Sequence, residues 1–242
     1  MEIYDVLGSG YHAHRSPDPR IARMLEAALG DARSVVNVGA GPGSYEPRDR
    51  AVVAVEPSMA MIRQRPLGSA IAVRSHAETL PFRDRAFDAA MAVLTIHHWT
   101  DWAQGVRELR RVANRVVILT WDPEHPGFWL VQDYLPDLRD HDRTIFPKLD
   151  ALSAALGGAA ITCVPIPRDC TDGFLGAYWA RPERYLDPAV RQAISSFARV
   201  ADVATRLARL GADLGDGTWA RRYAALATLP ALDLGYRLVV HG

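Results

Sequence analysis

The apolar run Val35-Val36-Asn37-Val38 passes directly into Gly39-Ala40-Gly41-Pro42-Gly43, and this junction constrains the fold of the chain more tightly than any other feature. A short apolar run that stops at a glycine turn predicts a buried parallel strand followed by a loop, where a ligand can rest against bare backbone. A second run, Ala51-Val52-Val53-Ala54-Val55, ends on Glu56. A carboxylate at the tip of the neighbouring strand is placed to accept both hydroxyls of a ribose. The pair predicts an α/β, Rossmann-like doubly wound sheet with a nucleoside-containing cofactor across the carboxyl ends of its strands.

The glycine spacing bears on which cofactor that is. A dinucleotide fingerprint reads G-x-G-x-x-G and places its third glycine beside a pyrophosphate. Here the third glycine comes one residue early, at Gly43, and Ser44 holds the fingerprint position. Only Ser44 to Arg50, with Pro47 among them, separate that glycine from the next strand. Parallel strands normally need about a dozen connecting residues when a helix crosses between them. Without a helix N-terminus aimed at the loop, the usual pyrophosphate site is weak. A nucleoside cofactor without phosphates suits this loop better than a nicotinamide dinucleotide.

Further segments extend the pattern. His76-Ala77-Glu78-Thr79-Leu80-Pro81-Phe82 is followed by Phe87-Asp88, then by Leu94-Thr95-Ile96-His97-His98-Trp99, then by a helical stretch from Asp101 to Val112 containing Arg107-Glu108-Leu109-Arg110-Arg111-Val112. In this order, over roughly residues 35 to 120, the chain resembles the class I S-adenosylmethionine-dependent methyltransferases, in their small-molecule, type 11-like branch. The resemblance implies a seven-stranded sheet of order 3-2-1-4-5-7-6 with an antiparallel last strand. It implies S-adenosylmethionine as cofactor and S-adenosylhomocysteine as product.

Periodicity supplies the elements. Asp18-Pro19 starts an amphipathic helix to Leu29, with Ile21, Met24, Leu25 and Ala28 on one face and Gly30 ending it. Strands are predicted at Ser34–Val38, Ala51–Glu56, Ala70–Arg74, Phe87–Leu94 and Arg115–Trp121, all with the weak alternation of strands buried on both faces. Helices are predicted at Ser58–Gln64, Asp101–Val112 and Lys148–Leu156, a sixth strand at Ala160–Pro165 and a final antiparallel strand at Leu232–His241. The chain reads as a single domain, 1–242, with an N-terminal arm or lid over 1–19 and a helical insertion over 172–228 covering the acceptor site, where selectivity usually resides in such folds.

Composition excludes several classes. Lys plus Arg and Asp plus Glu both total 28, and this zero formal charge argues against a nucleic-acid partner. No run approaches the roughly 20 apolar residues of a membrane helix, and no secretory signal opens the chain, so a cytoplasmic location and no membrane partner are expected. The two cysteines, Cys163 and Cys170, form no disulfide framework, and no metal site is expected. The protein is expected to be a monomer or homodimer.

By position, Glu56 is the ribose acceptor, and Gly39, Ala40, Gly41 and Gly43 let the backbone approach the methionine part. Pro57, Met61 and Leu94 border the cofactor, and Met61 could equally be a helix packing on the sheet. The resemblance implies adenine contact through the backbone of Ala77 with Glu78 nearby; where relatives carry an aspartate this chain has His76, and no direct His76 contact is expected. Tyr11 and Arg15, in the arm, resemble the residues that meet the cofactor's carboxylate.

Methyl transfer needs a base only when the acceptor must lose a proton, and histidine suits that role. His97 and His98 follow the fourth strand. Alternation would send one toward the pocket and the other into packing, with His97 favoured, and a packing role for both stands beside catalysis. Tyr4, Tyr11, Trp99, Phe128, Trp129, Phe174, Tyr178 and Trp179 either line an apolar, aromatic acceptor pocket or close a helical subdomain onto the sheet. The leading function is methylation of a small-molecule acceptor, aromatic or apolar and of secondary metabolism. The alternatives are a cofactor-binding partner or regulator without transfer activity, and a nicotinamide-dependent oxidoreductase.

Overall fold

The computed structural model describes residues 16–242. Its main sheet contains β1 (Ser34–Val38), β2 (Ala51–Val55), β3 (Ile71–Val73), β4 (Phe87–Val93), β5 (Ala113–Trp121), β6 (Ala160–Cys163) and β9 (Tyr236–His241), in the order β3-β2-β1-β4-β5-β9-β6. The first five are mutually parallel, and β9 runs antiparallel between β5 and β6. Two further short strands, β7 (Ile166–Pro167) and β8 (Ala231–Leu232), pair with each other. The order implied by the family resemblance is therefore the order observed, once the β7–β8 ribbon is counted separately.

The sheet is buried on both faces because successive strand residues feed opposite cores. Val35, Ala89, Met91, Val117 and Leu119 pack on one side, Val36, Val38, Ala90, Ala92, Val116 and Ile118 on the other. Helix α1 (Pro19–Leu29) covers the first side with Ile21, Leu25 and Leu29, each about 2 kcal/mol of apolar burial. Its Asp18 cap accepts from the Arg20 N–H, and Gly30 ends it at φ 59°. On the second side, α3 (Trp102–Val112) buries Val106, Leu109 and Val112, capped by Asp101. Between these lies α2 (Met59–Arg63), capped by Ser58. The β1–β2 connection contains turns and no helix, as its length requires.

The motif residues between β3 and β5 are largely structural. Asp88 accepts from the N–H groups of Arg33 and Ser34 and from the Ser34 hydroxyl, stapling β4 to the start of β1; these bonds, the Ser34 N–H first, lower its pKa. Arg111 donates to the carbonyls of Leu80 and Phe82, while Glu108 accepts from the Leu80 N–H. The Leu80-Pro81-Phe82 loop is thereby locked to α3.

Several boundaries differ from expectation. Strand β4 ends at Val93, because Leu94 turns left-handed at φ 51°. Consequently Ile96–His98 forms a 3₁₀ turn and not a strand end. The final strand divides at Asp233, which accepts from the Gly235 N–H in a turn where Gly235 has φ 91°. Strand β3 shortens to three residues at the sheet edge.

After β5 come a π-helical turn at Leu130–Tyr134, α4 (Pro136–Ile145) and α5 (Leu149–Ala155). The segment 172–228 is helical as expected, but built from short pieces: 3₁₀ turns at Leu175–Tyr178, Pro182–Leu186, Ser195–Arg199 and Ala224–Thr228, and helices Pro188–Gln192, Val203–Gly215 and Thr218–Arg222. Trp129, Tyr134, Tyr185, Trp219 and Tyr223 form a ring cluster that ties it to the post-β5 segment. Among the described residues, no helix is long and apolar enough to cross a membrane.

Candidate active site

A cleft opens at the carboxyl ends of β1, β2 and β4. Of the residues singled out by sequence, Gly39, Ala40, Gly41, Glu56, Pro57, Met61, Ala77, Glu78, Leu94 and His98 line it. Gly43 and His97 do not, and Tyr11 and Arg15 lie outside the described residues.

Glu56 is 6% exposed. One oxygen accepts from the Gly41 N–H at 2.8 Å and the other from the Ser58 N–H at 2.9 Å. Both oxygens are thus oriented by backbone.

The three loop glycines do different things. A Cβ on Gly39 (φ 71°) would fall 2.0 Å from Thr95 Oγ1, so this glycine makes room for Thr95 beyond the end of β4. A Cβ on Gly41 (φ 50°) would meet nothing within 4 Å among the described residues, and here the backbone borders the cleft. Gly43 (φ 99°) faces a buried ion pair, Arg65–Glu46, 2.7 Å between Nη2 and Oε2. Arg65 also donates to the Gly41 carbonyl at 3.1 Å, and Asn37 Nδ2 donates to Glu46 at 3.2 Å. This network fixes the loop from behind. Sequence reading missed it, since Glu46 and Arg65 are 19 positions apart and neither sits in a motif.

Glu78 lines the cleft while its carboxylate caps α3 through the Asp101 N–H at 3.0 Å. His76, Thr95, Trp99 and Thr100 complete the walls. Trp99 lies against Gly105 of α3, where a Cβ would be 2.3 Å from the indole.

A second cavity shares Leu94 and His98 with the first. Its apolar walls include Trp121, Phe128, Phe146, Phe174, Leu175 and Ile194, and its polar groups are His97, His98, Arg139, Asp142, Ser195, Ser196 and Tyr236. Phe128 and Phe174 therefore face a cavity, whereas Trp129, Tyr178 and Trp179 are buried in packing.

The 3₁₀ turn sends both histidines to this cavity, in place of the alternation expected of a strand. His97 stacks on Phe146 (centroids 4.1 Å, 20°) and touches His98 (3.9 Å). Burial first, then the Arg199 charge, pushes the His98 pKa down to about 4. Burial, with His98 and Arg199, holds His97 well below the ordinary imidazole range. Both rings are neutral at pH 7. Among the described residues, no three His, Cys, Asp or Glu side chains cluster to hold a metal.

Residues 36–118 match a family model described as a methyltransferase domain. The structure superposes on a candidate methyltransferase from an antibiotic biosynthesis pathway of Anabaena variabilis with a TM-score of 0.88 and 32% identity, covering 95% of this chain and 99% of that one. The chain belongs to the S-adenosylmethionine-dependent methyltransferases. A methyltransferase of Thermotoga maritima shares the fold at 21% identity and a TM-score of 0.54, over 67% of this chain and 84% of that one. The Escherichia coli protein YafE is 35% identical over 63 residues; the match spans 24% of this chain and 30% of YafE.

The cofactor of this methyltransferase is S-adenosylmethionine. The residues present fit it: a backbone-oriented carboxylate at the tip of β2, an open approach at Gly41, and small or apolar walls at Pro57, Met61 and Ala77.

Proposed function

We propose that this methyltransferase methylates an apolar, ring-bearing small molecule of secondary metabolism, seated in the second cavity. The observation that carries this reading is the shared wall: Leu94 and His98 border both cavities, so an acceptor there abuts the cofactor cleft. When bound, S-adenosylmethionine supplies an activated methyl group on a sulfonium.

The chain's own contribution is alignment and exclusion of water. Glu56 receives the ribose hydroxyls, Gly41 borders the methionine part, and Met61 and Ala77 flank the adenine. Leu94, held in a left-handed conformation that non-glycine residues rarely adopt, forms the partition between the two compartments. Neutral His98 lines that partition, while His97 and Phe146 form a stacked wall behind it. With a pKa near 4, His98 is a weak base, so it orients the acceptor more than it removes a proton. The insertion contributes Phe174, Leu175, Ile194, Ser195 and Ser196 and acts as the lid over the acceptor. The Anabaena relative's pathway supports secondary metabolism as the setting.

The test is release of S-adenosylhomocysteine from S-adenosylmethionine in the presence of a panel of aromatic and aliphatic acceptors. Turnover confined to apolar ring compounds, and reduced by Leu175→Trp, supports the reading. Turnover of small polar acceptors with no effect of filling the cavity overturns it.

A further inference from the structure

The second cavity contains polar groups that the fold leaves without partners. Asp142 is 8% exposed, and its carboxylate accepts no hydrogen bond from the described residues. Arg139 Nε and His97 Nδ1 are buried without a partner among the described residues. Buried polar groups are normally satisfied, and exceptions call for an explanation. Arg139 and Asp142 are three residues apart on α4, hence on one face of that helix, and both line the cavity. The nearest exit for either is weak: Arg139 Nη2 reaches Asp140 only at 3.5 Å.

This arrangement selects among ligand chemistries. The carboxylate can only accept when ionised, and the guanidinium can only donate. Above pH 7, where Asp142 is ionised, a carbonyl would satisfy Arg139 and leave Asp142 unmet. A cationic amine would satisfy Asp142 while facing Arg139 and the charge of Arg199, which acts on Asp142, His97 and His98 from the Ser195–Arg199 turn. An anionic carboxylate would face Asp142 across an apolar cavity. A neutral hydroxyl donates and accepts, and meets both groups.

We infer that Asp142 and Arg139 are specificity-determining residues that anchor a hydroxyl group on a neutral, ring-bearing acceptor. The inference rests on the second cavity being the acceptor site. The rings of Phe146, Trp121 and Phe128 hold the acceptor's apolar body, and α4 fixes its polar end. The anchored hydroxyl orients the acceptor, and Asp142 raises the cost of any acceptor that presents no donor there.

The experiment uses the full chain saturated with S-adenosylhomocysteine, so that no methyl transfer occurs. Calorimetry at pH 8, where Asp142 is ionised, measures the dissociation constants of 2-naphthol, 2-methoxynaphthalene, 2-naphthoate and 2-naphthylmethylamine. The expected result is 2-naphthol binding about tenfold more tightly than each of the others, in line with one or two buried hydrogen bonds. Asp142→Asn and Arg139→Ala should each reduce that preference to about twofold or less, with 2-methoxynaphthalene nearly unaffected. Asp142→Glu, which keeps the carboxylate, should retain part of it, and unfolding curves for each variant separate lost selectivity from lost fold. Equal binding of 2-naphthol and its methyl ether, tightest binding of the amine, no binding of any probe, or an unchanged preference in Asp142→Asn would overturn the inference. Failure of S-adenosylhomocysteine itself to bind would instead count against the cofactor assignment, so the two failures are distinguishable.

Discussion

Tyr45 donates its phenolic hydroxyl to Asp172 Oδ2 at 2.8 Å across 127 positions of sequence. The Tyr45 hydroxyl oxygen also accepts from the Asp18 N–H at 3.3 Å, and the Asp18 carboxylate accepts from the Thr171 N–H at 3.1 Å. One residue of the cofactor loop, itself left-handed at φ 62°, thus joins the start of α1 to the start of the insertion. The glycine loop and the segment beginning at Asp172 are linked through it.

Replacing Tyr45 by Phe keeps the ring and removes the link. Asp172, 1% exposed, then loses a charge-assisted hydrogen bond. The expected cost is about 1–2 kcal/mol of stability. Hydrogen exchange should rise selectively in 172–180. A uniform change across the chain would mean that Tyr45 stabilises only the core.

The loop glycines separate stability from binding. Gly39→Ala places a methyl group on Thr95 in a left-handed backbone, so it should destabilise the protein by at least ~2 kcal/mol. Gly41→Ala meets no atom of the described residues, so its strain should cost only ~1 kcal/mol, while its methyl group enters the cleft and weakens cofactor binding. Thermal unfolding and calorimetry on both variants check the division.

Arg65 is a positioning residue for the loop. Its side chain is 5% exposed and that of Glu46 10%. Removing one partner of a buried pair typically costs about 3–5 kcal/mol. Arg65→Ala should lower Tm and weaken S-adenosylhomocysteine binding together, since the Gly41 carbonyl also loses its donor. Arg65→Lys should rescue poorly, because a lysine cannot reproduce the multidentate fork.

Asp142 should show itself in the pH dependence of stability. Burial raises its pKa from 3.8 to about 7, with the Arg199 charge opposing. Between those values the folded protein binds more protons than the unfolded chain, so stability falls as pH rises from about 4 to 7. His97 and His98 act in the opposite direction: their folded pKa values lie below 6.5, so their contribution is lost as pH falls below it. In a comparison of Asp142→Asn with the wild type the histidine contribution cancels. The Tm difference, variant minus wild type, should therefore grow between pH 4 and pH 8. A flat difference would show that Asp142 is solvated.

The sheet was legible because its signals are local: the valine runs of β1 and β2, the glycine turn between them, and the caps Asp18, Ser58 and Asp101. The cleft was legible to the extent that it lies at strand ends, which places Gly41 and Glu56 without knowledge of tertiary contacts. His97 and His98 were located but not oriented, because the left-handed Leu94 converts a strand continuation into a 3₁₀ turn and no periodicity announces that. Arg65–Glu46 and Tyr45–Asp172 join distant positions, and Arg139 and Asp142 look like ordinary surface charges of a polar helix. Only burial in the folded chain gives those residues their meaning.

The central claim is that the carboxylate of Glu56 and the backbone at Gly41 receive a nucleoside cofactor without phosphates. Calorimetric titration with S-adenosylhomocysteine, NADH and NADPH, on the wild type and on Glu56→Ala, tests it most directly. The expected result is binding of S-adenosylhomocysteine alone, weakened roughly 10- to 100-fold by the substitution, as loss of hydrogen bonds to a charged group implies. Binding of a dinucleotide in its place, or S-adenosylhomocysteine binding that is indifferent to Glu56, would contradict it.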